Sequence, residues 1–357
     1  MLKILKGVTY YEKLSPYNCV ACSFVALILL FQLSPPLANA ESYRLAQDNN
    51  VFEPSIVEYS GENYEIIRSY NLSDGKLTNQ ETKSLLLQLG MGAKFIENMS
   101  YETINYLSTC ESIVTNTSYI KTDESGITYL PKDTALKEAI ELSQIQNAIL
   151  SSCKDVDLFT ANPANDIYRA FFDTSYISLT HTVAYDGNAE YTFITSAIWL
   201  TMPLYRNFDS LGSCAMGCTV VPGSQYGYFL YVTNYYANGE LISTEDYFEN
   251  ITNYGNAVNG NWYGSAGYFC LPSNELSSSV RFNDFCAYYQ YTGHVHDPES
   301  AKWINSVGSY EHTTAGLVIA PGISIEFGGS TTATIVLNVF VASEMYPAEV
   351  EFYYTPD

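Results

Sequence analysis

The apolar positions of this chain change their period once, near Asn162 to Asp173. Ahead of that point they recur at helical spacing. Thr78 through Gly90 opens with a capping box, Thr78 accepting from the first turn and Glu81 reaching back, and Leu85, Leu86 and Leu89 then share one face. Gly90 and Gly92 supply the stop. A second short helix is predicted from Ser100, with Ile104 and Leu107 inward, and a third over Asp133 to Ser151, with Leu136, Ile140 and Ile149 inward. Between them, Ser112 to Thr122 and Gly126 to Leu130 read as two strands around the turn Asp123-Glu124-Ser125-Gly126.

Beyond Asp173 the period becomes two, with β-branched and aromatic residues between turn signals. Thr174 to Tyr185, the turn Asp186-Gly187-Asn188, and Ala189 to Leu200 form the clearest hairpin. Gln225 to Tyr236 and Glu240 to Phe248 form a second, joined by Ala237-Asn238-Gly239, whose Asn-Gly pair suits positive φ. Trp262 to Leu271, Phe282 to Thr292, Gly316 to Ala320, Ile323 to Phe327, Thr332 to Ala342 and Ala348 to Tyr354 follow. Thr332 to Ala342 is apolar on both parities, which reads as a central strand buried on two sides. The expected fold is α+β: a small helical N-terminal part packed on a mainly antiparallel β-sandwich of about eight to ten strands. Strands that succeed one another without crossover helices argue against a parallel sheet.

The first forty residues have a different grammar. Lys3, Lys6 and Lys13 precede an apolar core, Phe24 to Leu33, broken only by Gln32 and followed by Pro35 and Pro36. Ala38 and Ala40 suit the narrow subsites of signal peptidase, so residues 1–40 are expected to be a signal peptide cleaved before Glu41. The core falls short of the roughly 20 residues a membrane span needs. No later apolar run reaches that length, so no stable transmembrane segment is expected in the mature chain. Residues 41–165 are read as a mainly helical region with a short hairpin, and 166–357 as a β-rich, sandwich-like domain.

Charge narrows the partners. Removing the leader takes away three lysines and one glutamate, so the net charge moves from −22 to −24. Such a field repels phosphate backbones and anionic headgroups, which excludes nucleic acid. It also turns a helix-turn-helix reading of Thr78 to Thr109 into a packing unit.

Six cysteines follow the leader: Cys110, Cys153, Cys214, Cys218, Cys270 and Cys286. An even count in an exported chain favours disulfides. Proximity orders the pairs as Cys214 with Cys218, Cys270 with Cys286, and Cys110 with Cys153, among fifteen pairings open to six cysteines. A reactive or metal-binding reading of Cys214 and Cys218 is weaker, since no Cys or His stands close by to complete a zinc set. His294 and His296 could begin a metal site with Asp297 or Glu299, but a loop after Gly293 explains them without a third ligand. Gly264-Ser265-Ala266-Gly267 lacks the spacing of a nucleophile elbow and reads as small residues at a close backbone approach. No phosphate-binding glycine loop or calcium loop is present, so no cofactor is expected. Sequons stand at Asn71, Asn98, Asn116 and Asn250.

Tyrosine is the compositional signature, with 32 in the chain. Its flat face and hydroxyl suit sugar rings and protein interfaces, although strand preference alone accounts for much of the enrichment. The doublets Tyr235-Tyr236 and Tyr288-Tyr289 place one ring on each strand face and are the candidate contact residues. The leading functional reading is a secreted, non-enzymatic extracellular binding protein whose tyrosine-rich sheet meets a glycan, cell-wall or protein partner. A secreted hydrolase acting on carbohydrate or cell wall is the alternative, although no segment singles out two acids for it. A membrane-active reading of Thr332 to Ala342 comes third, because Val336 and Phe340 spoil the polar face it needs.

Overall fold

The computed structural model describes residues 54–61, 64–72, 76–123, 126–152, 174–201, 208–272, 279–295, 303–313, 323–327, 333–337 and 343–353. Ala38, Ala40, Glu41, Cys153 and His296 lie outside them, as does the expected strand Gly316 to Ala320.

The chain begins with strands β1 (Ile56–Ser60) and β2 (Ile66–Asn71), then helices α1 (Asn79–Gln88), α2 (Ala93–Asn98) and α3 (Tyr101–Leu107). Strands β3 (Ser112–Asp123) and β4 (Gly126–Tyr129) lead into α4 (Lys132–Ser152). After it come β5 (Ser175–Tyr185), β6 (Glu190–Trp199), β7 (Phe208–Met216), β8 (Cys218–Val220), β9 (Tyr226–Ala237) and β10 (Glu240–Asn250). The remainder is β11 (Thr252–Asn259), β12 (Trp262–Cys270), β13 (Val280–Val295), β14 (Trp303–Thr313), β15 (Ile323–Phe327), β16 (Ala333–Leu337) and β17 (Ser343–Tyr353). A ten-stranded sheet runs β1-β2-β3-β5-β6-β13-β9-β10, with β4 beside β3 and β8 beside β13. A five-stranded sheet runs β11-β12-β7-β14-β17, and β15 pairs with β16. Every pairing is antiparallel.

Local chemistry sets the helix ends. Thr78 and Glu81 form both halves of the capping box at α1. Its far end closes through Met91 N–H to the Leu86 carbonyl and Gly90 N–H to the Leu87 carbonyl, with Gly90 at φ +98°. That left-handed residue is where glycine avoids the Cβ penalty. Ser100 caps α3 by accepting from Thr103 N–H. In α4 the buried stripe is Ala135, Ala139, Gln146 and Ile149, while Ile140 is 42% exposed. Ile140 was expected inward. Two alanines, each buried, define the face that meets the sheet instead.

The middle of the large sheet is covered on both sides. Leu85, Leu86, Leu89, Phe95, Ile104 and Leu107 of the helices share one cluster with Ile113, Ile194, Tyr228, Cys286 and Tyr288 of the strands. The opposite parity of the same strands, including Phe193, Phe229, Phe285, Tyr289 and Tyr291, joins Leu211, Phe269, Ile304 and Tyr310 of the five-stranded sheet. Trp199 stands at the centre of that second cluster, edge-on to Phe229, Phe269, Phe285 and Tyr310 at 5.2 to 6.4 Å. Each such aromatic pair adds about 0.5–1.5 kcal/mol beyond its buried area.

Several expectations change. Thirteen strands, β5 to β17, lie in the region where eight to ten were expected. The additional strands include β7, β11 and β14, which build most of the smaller sheet. Their small residues pack by close approach. A Cβ at Gly212 would fall 2.7 Å from the Ser265 carbonyl oxygen, and one at Gly308 would fall 2.8 Å from the His181 ring. The segment expected as a doubly buried central strand instead contributes β16 to a two-stranded pair with β15. Strands β1 to β4, from the region read as mainly helical, belong to the same sheet as β5 and β6.

Candidate interaction surface

Strand β10 is one edge of the large sheet and β1 the other, and among the described residues neither core cluster includes a β10 side chain. Asn238 and Gly239 have φ of 53° and 84°, the two positive values a tight hairpin turn requires, and they return the chain from β9 antiparallel to itself. Leu241 pairs with Tyr236 and Ser243 with Tyr235, so Ile242 is the extra residue of a bulge. Ten of the eleven β10 residues are exposed and Glu249 is half-buried. Among the described residues no strand pairs with its outer side.

This edge carries four exposed large apolar side chains. Leu241 is 54% exposed, Ile242 66%, Tyr247 42% and Phe248 47%. Tyr247 stacks on Tyr231 of β9 at 4.4 Å, and Phe248 stacks on Tyr228 at 5.4 Å. Desolvation and then the charge of Tyr247 and Glu249 push the Tyr231 hydroxyl up to about 12. Glu240, Glu245, Asp246 and Glu249 stand among these side chains, and no Lys or Arg occurs from Tyr226 to Asn250. Antiparallel register puts Glu245, Tyr247 and Glu249 on one face and Thr244, Asp246 and Phe248 on the other.

The expected tyrosines separate into two kinds. Tyr235 and Tyr236 are half-buried at the end of β9. The Tyr235 hydroxyl donates to Glu245 at 3.2 Å, and that carboxylate, more than burial, raises its pKa. The Arg281 guanidinium lies 4.2 Å over the Tyr236 ring. Tyr288 and Tyr289 are 0% and 1% exposed, on opposite faces of β13 and beneath different layers. Their alternation is as expected, but both faces are covered, so neither ring offers a contact surface. The Tyr289 hydroxyl instead bonds Ser265 at 2.8 Å, linking the two sheets, and Tyr288 bonds Gln290.

The sequence reading did not single out Leu241, Ile242, Tyr247 or Phe248. Their signal was present: Leu241-Ile242 and Tyr247-Phe248 are apolar doublets, and Glu245-Asp246 is an acidic one. Doublets place the same character on both faces, which marks a strand with no core side.

No disulfide joins the five described cysteines. Cys218 lies in the core between the sheets, whereas Cys214 clusters with Ala257, Trp262, Ala266 and Val307. Cys286 faces the helices while Cys270 is exposed at the end of β12. Of the expected pairs, Cys214 and Cys218 fall in different clusters, Cys270 and Cys286 differ in exposure and layer, and Cys153 lies outside the described residues. Burial pushes the Cys110 and Cys286 thiols up to about 12. His294, expected in a loop, lies within β13. Asn116, one of the sequons, is buried in β3.

Two other polar clusters are internal. His181 is buried, with Nε2 2.7 Å from Ser306 Oγ and Nδ1 3.1 Å from Thr195 Oγ1, and burial lowers its pKa to about 3. Asp209 accepts from the Tyr310 hydroxyl at 2.5 Å and lies 2.9 Å from His312 Nδ1. Asp209 and Tyr310 are both fully buried, so this group ties β7 to β14. Among the described residues, no three His, Cys, Asp or Glu side chains are grouped to hold a metal ion. No described helix is long and apolar enough to cross a membrane.

No protein-family model matches the chain, and no curated protein matches it. Among solved structures, one chain described as "Complete structure of manganese lipoxygenase of Gaeumannomyces graminis and partial structure of zonadhesin of Komagataella pastoris" aligns at 7% identity, covering 85% of this chain and 82% of that one, with a TM-score of 0.20. A second, described as "BspA_C_mut", aligns at 8% identity over 84% of this chain and 98% of that one, with a TM-score of 0.19. Likeness at that level carries no argument about fold or function.

Proposed function

We propose that this chain is an exported, non-enzymatic interaction protein: a sandwich-like body with helices on its outer face, presenting the β10 edge of its large sheet to a protein partner. The observation that carries the reading is the exposure of β10 on both faces, with Leu241, Ile242, Tyr247 and Phe248 at solvent in one contiguous strand. An apolar edge is a liability that soluble proteins blunt or use. A protein partner is favoured over a glycan because Tyr235 and Tyr236 occupy opposite faces, and one of the two rings is already stacked by Arg281. They form no single platform for a sugar.

The test immobilises the Glu41 to Asp357 chain and probes it with extracellular protein fractions and with a glycan array. Saturable protein binding, abolished in a Leu241→Ser, Tyr247→Ser double variant with unchanged near-ultraviolet circular dichroism, is the expected result. Glycan binding that survives the double variant would overturn the edge assignment. Amino-terminal sequencing of the exported protein checks cleavage before Glu41.

A further inference from the structure

Resting on the proposal that β10 is the contact edge, we infer that its partner is an extended cationic polypeptide segment that adds to the large sheet as a further strand. Two observations converge on this occupant. The outer edge of β10 presents backbone donors and acceptors to solvent, with no described strand beside them. Such an edge is a template for strand addition, in which the backbone supplies affinity and alternate side chains supply selection. Its charge is of one sign: four carboxylates and no base across β9 and β10.

That charge rejects the most obvious occupant, a second copy. Pairing β10 with itself would bring eight carboxylates into one ribbon without a countercharge, on chains that each carry a formal −24 once the leader is removed. The Ile242 bulge adds a local kink against long, flat self-pairing. A basic strand meets neither obstacle at residues 243 to 250, beyond the bulge. Acidic side chains on an edge thus discriminate among strands.

The register of β10 specifies the pattern its partner needs. Directly paired residues on neighbouring strands share a face. Opposite Glu249, Asp246 and Glu245 a lysine is favoured; opposite Phe248 and Tyr247 an apolar β-former; opposite Thr244 a threonine. An antiparallel partner therefore reads Lys-Val-Val-Lys-Lys-Thr, and a parallel one reads the reverse. Each face then carries both a charge pair and an apolar pair, matching the doublets of β10.

The experiment titrates the folded chain with labelled peptides that carry either core, following fluorescence anisotropy at low salt. Saturable binding is expected for one direction. It should weaken about tenfold or more in a Glu245→Lys, Asp246→Lys double variant, whose exposed positions leave the fold intact. Two N-methylated isomers test the backbone: methyl groups on one alternate set of amides should abolish binding, and on the other set should leave it unchanged. Equal binding of both isomers would overturn strand addition and leave charge attraction alone. Binding by a lysine-only peptide or a polyamine at the same strength would overturn the pattern. If neither core binds while the Leu241→Ser, Tyr247→Ser variant still loses its partner, the cationic-strand inference fails and the edge proposal stands. If that variant loses nothing, both fail.

Discussion

Tyrosine has two fates in this molecule, and the difference lies in the layers rather than the residue. In the middle of the large sheet Tyr228, Tyr288, Tyr289 and Tyr291 are buried, and desolvation raises all four hydroxyl pKa values. Two strands from the middle, at the β10 edge, Tyr247 stands 42% exposed although it stacks as closely on Tyr231 as any ring in the core. The same strand-forming residue is scaffold where two layers meet over it and surface where they stop. A sheet can therefore be tyrosine-rich throughout and still bring its rings to solvent only toward its edges, as Tyr59 in β1 and Tyr247 in β10 show.

The sharpest way to break this division is to remove a ring on either side. Tyr288→Ala should cost about 3–5 kcal/mol in urea unfolding, since a fully buried ring leaves a cavity between sheet and helices. A loss under about 1 kcal/mol would show that the helical layer does not seal that face. Acid should act on the middle as well. Burial holds His181 neutral down to about 3, while the unfolded chain takes up the proton near 6.5. Stability from this group is therefore complete above 6.5 and falls progressively as the pH drops toward 3. The decline should be on the order of 4 kcal/mol, and His181→Gln should remove that component from the pH dependence. Gly308→Ala, which presses a methyl group on the same imidazole, should cost about 1–3 kcal/mol by thermal unfolding. At the other extreme, Ile242→Ser should change stability by about 0.5 kcal/mol or less, measured the same way, because the bulged side chain is in water.

Legibility in the sequence followed the same division between strong and weak local signals. The Thr78 box, the Ser100 cap and the β5–β6 and β9–β10 hairpins were readable because capping and turn chemistry act within a few residues. Strands β7 and β14, with Ser-Leu-Gly-Ser and Ser-Val-Gly-Ser at their centres, were not. Their small residues have weak strand preference alone and are selected by what approaches them, Ala266 beside Gly212 and His181 beside Gly308. The tyrosine doublets were placed on the right strands, but whether a second layer covers a face depends on contacts between distant segments. For the same reason short spacing misleads for Cys214 and Cys218, which are near in sequence and belong to different clusters.

The position of β13 has a consequence for how the chain is made. This strand lies between β6 and β9, pairing His294 with Glu190 and Val280 with Tyr235, yet it follows both in sequence. A ribosome therefore releases the two flanking strands, with Phe193 and Phe229, well before the strand that joins them exists. Until Val280 to Val295 emerges, β6 and β9 have no strand to join them, so the large sheet closes late and through long-range contacts, the slow regime of folding. A chain interrupted before β13 would hold β6 and β9 without the strand that joins them.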